Sequence, residues 1–282
     1  TSVEFDDDLS SDVLYLNDQL VSEEETARIV KHLNLIREIA GITTSARVES
    51  KNNFPKGAGI ASSASGFAAL TMAASSAAGL TLSEKELSIL ARLGSGSACR
   101  SIPEGFVEWK AGESSKGSFA YSLYPPDYWD ICDLIAIVGE NSKKVNSTEG
   151  HAIAESSPFY KARIAGMKNK IEEIKSALAK RDFTKFGEIL EAEAINMHAV
   201  MMTSVPPLYY WNPGTLEVIK AVIELRDKGV ESYFTIDAGP NVHVICERKN
   251  LEKIKTELSS IEAINKVLVN HPAMGAKLIS NE

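Results

Sequence analysis

The stretch Pro55-Lys56-Gly57-Ala58-Gly59-Ile60-Ala61-Ser62-Ser63-Ala64-Ser65-Gly66 limits what this chain can fold into more than any other. It runs from a loop of small residues straight into a helix of small residues, which continues through Phe67-Ala68-Ala69-Leu70. Gly57 and Gly59 let the backbone turn sharply and come close to a ligand without a Cβ in the way. Ser62, Ser63 and Ser65 fall near the helix N-terminus, where unpaired N–H groups and the positive dipole end suit an anion such as phosphate. An ordinary loop with a serine N-cap accounts for the same residues equally well. The stretch is not a Walker A loop, because no Gly-Lys-Ser/Thr closes it, and it lacks the third glycine of a dinucleotide fingerprint.

The surroundings read as a mixed α and β chain. Thr1–Phe5, Val13–Leu16 and Ala46–Ser50 are expected strands, the last delivering the chain to the loop. Ser22 with Glu25 and Ser83 with Glu86 are capping boxes that open helices. On the first of these helices Ala27, Ile29, Val30, Leu33, Ile36 and Ala40 form the inward stripe, and Lys31 lies off it. Gly66 to Ala78 is a helix whose small side chains allow close packing. Phe119–Leu123 and the apolar run Leu134–Val138 read as strands. Helices are predicted over Phe159–Lys180, Asp182–Met202, Thr215–Lys228 and Leu251–Ser259, and strands over Ile264–Val269 and Gly275–Ile279.

Two further stretches carry chemistry. Gly94-Ser95-Gly96-Ser97-Ala98-Cys99-Arg100-Ser101 reads as a loop offering N–H groups and hydroxyls to an anion, with Arg100 adding a planar fork for carboxylate or phosphate. A Gly-Ser turn with a surface Arg is the alternative. Thr235-Ile236-Asp237-Ala238-Gly239-Pro240-Asn241 ends a strand in an acid and a Gly-Pro turn, before Val242–Cys246 returns as a second strand. Asp237 is either the first residue of a hairpin turn or an acid at the mouth of a pocket. His198, alone on its helix, reads as a packed residue rather than a catalyst.

A formal net charge of -8 argues against a broad nucleic-acid-binding face. No apolar run is long enough to span a bilayer, and the acidic start (Glu4, Asp6, Asp7, Asp8) does not read as a signal peptide. Cys99, Cys132 and Cys246 show no zinc-site spacing and fit a reducing cytoplasm, with Cys99 either a buried thiol or a reactive one.

Pro55-Lys56-Gly57-Ala58-Gly59-Ile60-Ala61-Ser62-Ser63-Ala64 resembles the phosphate-binding motif of the GHMP kinase superfamily, with Ile60 in place of Leu. The preceding Asn52-Asn53-Phe54-Pro55 is similar to the lead-in of its diphosphomevalonate decarboxylase branch. Gly94–Ser101, followed by Gly105-Phe106-Val107-Glu108-Trp109, resembles that branch most closely. Pro206-Pro207-Leu208-Tyr209-Tyr210 and Thr235–Asn241 resemble it too. The resemblance covers about Asn52 to Asn241 and implies an α+β, two-lobed GHMP kinase fold. The N-terminal lobe (1–133) would be like ribosomal protein S5 domain 2, and the C-terminal lobe (134–282) ferredoxin-like, with ligands between them.

The implied reaction is the ATP-dependent decarboxylation of mevalonate 5-diphosphate to isopentenyl diphosphate, with ATP and Mg²⁺ as cofactors and a cytoplasmic homodimer as the working form. Asp237 falls on the family's catalytic acid, and Arg100 would grip the substrate carboxylate. Gly57, Ala58, Gly59, Ala61, Ser62, Ser63 and Ser65 would cradle the ATP phosphates, with Ser63 touching Mg²⁺. Ser95, Gly96, Ser97, Ser147 and Ala238 would line the substrate. Many bacterial members carry Arg where this chain has Thr148, and Lys143 and Lys144 are candidate replacements. Members usually open with a segment containing Lys-Tyr-Trp-Gly-Lys, which supplies a catalytic Lys; none occurs here, and the expectation is that it lies upstream of Thr1. A phosphomevalonate decarboxylase, a mevalonate 3-kinase and a non-catalytic binding protein on the same scaffold are the competing readings.

Overall fold

The computed structural model describes residues 1–53, 62–139 and 147–279. Among these, one compact unit holds residues 1–53, 62–128 and 272–279, and a second holds 129–139 and 147–271. The break therefore falls between Tyr128 and Trp129 rather than at 133/134, and the C-terminal stretch belongs with the first unit. Residues 275–279 form no strand; Ala276 N–H instead donates to the Ser101 carbonyl at 2.9 Å, and Gly105 N–H to that of Ala273 at 2.9 Å.

In the first unit β1 (Ser2–Asp6), β2 (Val13–Leu16), β3 (Gln19–Leu20) and, after helix α1 (Glu23–Ala40), β4 (Ser45–Ser50) make one sheet. Its order is β1-β4-β2-β3, with β4 antiparallel to β1 and parallel to β2. Helices α2 (Ser62–Ala77) and α3 (Glu84–Gly94) follow, then the hairpin of β5 (Phe106–Lys110) and β6 (Phe119–Tyr124). Leu14, Leu33, Ile36, Val48, Phe67, Leu70 and Leu90 meet in its core. The Ser83–Glu86 capping box forms as expected.

Helix α1 departs from its predicted stripe. Leu33 and Ile36 are fully buried, but Ala27 is exposed, and the polar His32 and Arg37 are buried instead. Arg37 tolerates burial because its whole fork is used: it pairs with Asp12, and donates to the Asn34 side chain at 2.8 Å and the Thr44 carbonyl at 2.9 Å. Asp12 also accepts the Ala46 N–H at 2.7 Å, so the acidic turn after β1 is tied to the start of β4.

His32 Nε2 lies 2.8 Å from Thr71 Oγ1, whose own proton goes to the Phe67 carbonyl at 2.6 Å. Thr71 therefore accepts, His32 Nε2 carries the proton, and a second proton would have to go on the buried Nδ1. Burial holds the His32 pKa down to about 4. The folded value lies below the unfolded one, so the stabilisation is complete above roughly pH 6.5 and is lost as pH falls from there toward 4. The loss is about 3 kcal/mol at the acid end. Urea unfolding between pH 7.5 and 4 should show this decline, and His32→Gln should flatten it; an equally steep decline in the variant would assign the effect to other groups.

The second unit has β7 (Ile131–Ile137), helices α4 (Ser147–Ile153), α5 (Tyr160–Lys180), α6 (Phe183–Met202) and α7 (Pro213–Asp227), strands β8 (Tyr233–Thr235) and β9 (Val242–Glu247), helix α8 (Leu251–Ser259) and β10 (Lys266–Asn270). The sheet order is β10-β7-β9-β8, antiparallel throughout. Successive strand residues point to opposite faces. Phe234 packs with Val218, Val222, Ile254 and Leu258 of α7 and α8, while Tyr233 stacks edge-on against Phe183 of α6. With both faces covered, β7 ends in the continuous apolar run Leu134–Ile137 instead of alternating there, as its sequence suggested, and its one charged residue, Asp133, is half-buried. The polar stretch 143–150 is helical from Ser147 on.

Candidate active site

The first unit brings two of the sequence motifs together. Helix α2 has no acidic residue in its first turn, so no carboxylate of that turn offsets the positive end of its dipole. Exposed Ser63 in that turn places its Oγ 3.2 Å from Ser95 Oγ. The contact depends on how closely α3 ends against α2. A Cβ on Gly94 would lie 2.2 Å from the Phe67 ring and 2.9 Å from His32 Nδ1, so only glycine fits. Arg28 sits over the same ring and donates to the Gly94 carbonyl at 3.2 Å.

The second motif is not the open loop its composition suggested. Residues Gly96–Ser101 wind into a 3-10 helix, because Ala98 and Cys99 can turn inward and be fully buried. Ser88 anchors the helix by donating to the Cys99 carbonyl at 3.1 Å while accepting the Ala120 N–H at 2.8 Å. The Cys99 thiol faces the Gly96 carbonyl at 3.1 Å, and burial pushes its pKa up, as for a small buried thiol. Ser95 and Ser97 are half-buried, and Gly96 and Arg100 are exposed. Among the described residues the Arg100 side chain makes no ion pair and no hydrogen bond. Its guanidinium carbon lies 5.8 Å from the Trp109 ring centroid.

The second unit builds a hydrogen-bonded mount for Asp237, which is exposed between β8 and β9. Gly239 N–H donates to the Asp237 carbonyl at 2.8 Å and tightens the turn. His198 on α6 meets the Ile236 carbonyl through Nε2 at 3.1 Å, so that nitrogen carries a proton. Burial lowers the His198 pKa, in line with a packed residue. Thr215 Oγ1 on α7 donates to the Pro240 carbonyl at 2.6 Å. Asn241 Oδ1 accepts from Val138 N–H at 2.9 Å and Gly139 N–H at 3.3 Å, stitching the loop to the end of β7. Asn212 caps α7 and donates to the Val138 carbonyl at 3.3 Å. Ala238, next to Asp237, is half-buried.

Of the other expected site residues, Gly57, Ala58, Gly59 and Ala61 lie outside the described residues, as do Lys143 and Lys144. Ser62 begins α2, Ser65 lies exposed in its first turns, and Ser147 begins α4. Lys31 is exposed. Among the described residues no group of three His, Cys, Asp or Glu side chains could hold a metal ion, and no helix is long and apolar enough to cross a membrane. The sequence reading missed Asn212, Thr215 and Asn241. Asn212 with Pro213 was a legible cap signal, an N-cap followed by Pro at the first helical position.

Residues 1–120 match the diphosphomevalonate decarboxylase-like N-terminal domain, and residues 133–275 match the mevalonate 5-diphosphate decarboxylase C-terminal domain. The chain belongs to the diphosphomevalonate decarboxylase family. A solved mevalonate diphosphate decarboxylase of Staphylococcus aureus superposes with a TM-score of 0.93 at 38% identity, over 99% of this chain and 85% of that one. A solved structure of MDDEF in complex with MVAPP, AMPPCP and magnesium is 42% identical, with a TM-score of 0.90 over 97% of this chain and 84% of that one. The diphosphomevalonate decarboxylase of Debaryomyces hansenii is 33% identical over 272 residues, which are 90% of this chain and 70% of the relative. The two-domain α+β fold is thus that of diphosphomevalonate decarboxylases, as the motifs implied.

Proposed function

We propose that this protein catalyses the ATP-dependent decarboxylation of mevalonate 5-diphosphate to isopentenyl diphosphate, carbon dioxide, ADP and phosphate, a step of isoprenoid biosynthesis. The observation that carries the reading is 42% identity, across nearly the whole chain, to a protein solved with MVAPP, AMPPCP and magnesium. The residues described fit those ligands: a helix N-terminus with no acid in its first turn and Ser63 beside Ser95 suits phosphate oxygens, and Arg100, with no ion pair among the described residues, suits a carboxylate.

ATP supplies the phosphoryl group that makes a tertiary hydroxyl able to leave. Asp237, held still by its mount, orients that hydroxyl or takes its proton. Arg100 grips the neighbouring carboxylate and sets its angle, a positioning role. Ser62, Ser63 and Ser65, with Gly57, Ala58, Gly59 and Ala61, hold the ATP phosphates, and Ser63 is the Mg²⁺ contact. Ser95, Gly96, Ser97, Ser147 and Ala238 face the substrate. Catalysis of this kind is mostly positioning and electrostatics. A cytoplasmic homodimer belongs to the same reading.

The test is to incubate the full chain with ATP, Mg²⁺ and, separately, mevalonate, its 5-phosphate and its 5-diphosphate, and to follow released carbon dioxide and ADP. Carbon dioxide from the diphosphate is the expected result. Release from the monophosphate alone would change the substrate, ADP without carbon dioxide would make the protein a kinase, and neither product would make it a binding protein.

A further inference from the structure

Among the described residues Arg100 has no carboxylate partner, and Trp109 explains how it is held. Trp109 lies on β5 opposite Ala120 of β6. Its indole N–H donates to Ser118 Oγ at 2.9 Å, which fixes the ring about its long axis. Ser118 is itself buried, and its carbonyl accepts from Arg92 Nε of α3 at 3.1 Å. The far edge of the ring rests against the start of the 3-10 helix that carries Arg100. A Cβ on Gly96 would sit 3.3 Å from the indole Cη2, closer than side chains normally approach, so glycine keeps that seat open. The guanidinium then lies 5.8 Å from the ring centroid.

We infer that Trp109 is a positioning residue for Arg100. The inference rests on the reading of Arg100 as the carboxylate clamp. An aromatic face attracts a guanidinium through the ring quadrupole. That attraction restrains where the cation sits but uses none of its five N–H donors, which stay available for a bidentate contact with a ligand carboxylate. A glutamate partner would restrain Arg100 too, but it would occupy the fork that the substrate needs. The cluster of Gly96, Trp109 and Ser118 therefore presents Arg100 already oriented and still unsatisfied.

The experiment is a cycle of Trp109→Leu, Arg100→Ala and the double variant, with Trp109→Phe alongside, measuring carbon dioxide release from mevalonate 5-diphosphate, KM and melting temperature. Trp109→Leu should lower kcat/KM roughly tenfold, and Trp109→Phe, which keeps a ring face, should stay within about threefold of the parent. With Arg100 already replaced, Trp109→Leu should cost nothing further. A Trp109→Leu loss of the same factor in both backgrounds would overturn the positioning role and make Trp109 a structural residue, as would a Trp109→Phe variant as impaired as Trp109→Leu. If Arg100→Ala alone left carbon dioxide release intact, the clamp reading would fail, and the positioning role with it. The additive outcome would reject only the positioning role.

Discussion

Asp237→Asn is expected to abolish most turnover while ATP and substrate affinities stay within several-fold of the parent. The substitution keeps shape and removes only the charge and basicity of one carboxylate. General acid–base groups contribute about 10²–10⁴-fold, so kcat should fall within that range. The fold should not notice: Asp237 is exposed, and its loop is held by Thr215, Asn241 and the His198 bond to Ile236, hydrogen bonds that do not use the Asp237 carboxylate. Melting temperature should therefore match the parent. If Asp237 were only the first residue of a hairpin turn, the variant would turn over normally. A folded Asp237→Asn protein forming product at the parental rate would remove Asp237 from the mechanism.

Arg100→Lys is expected to damage decarboxylation more than nucleotide binding. Lys keeps the charge but loses the planar fork that meets a carboxylate through two bonds. Loss of a charge-assisted contact is worth on the order of 1.5–3 kcal/mol, or roughly ten- to a hundredfold. An Arg100 that capped a helix or paired with the nearby Glu104 would instead be a structural residue. The structure shows an exposed guanidinium with no ion pair among the described residues, resting on Trp109. The melting temperature of Arg100→Lys should accordingly be close to the parent's. Turnover and melting measured on one sample decide the matter: lost turnover with unchanged melting supports the clamp, and lowered melting with normal activity per folded molecule rejects it.

Much of this protein was legible from local signals. The Ser83–Glu86 capping box and the long helices over Tyr160–Lys180 and Phe183–Met202 depend on neighbours in sequence and formed as read. The continuous apolar run from Leu134 marked a buried strand before any partner was known, and it forms the second half of β7. The candidate chemistry at Arg100 and Asp237 was legible because short motifs keep their residues together along the chain.

What stayed hidden depends on partners far apart in sequence. Nothing near Arg37 or His32 announces burial; Arg37 is buried because Asp12 and the Thr44 carbonyl come to it, and His32 because Thr71 and Phe67 do. A run of glycine and serine reads as an open loop until α3, β6 and the returning residues 272–279 pack around it, and then Gly96–Ser101 becomes a 3-10 helix. The same is true of the contact between Ser63 and Ser95, and of the seat that Gly96 leaves for Trp109. A motif shows which groups the chain carries, but their distances and free donors are set by long-range packing and hydrogen bonds, which only the folded chain supplies.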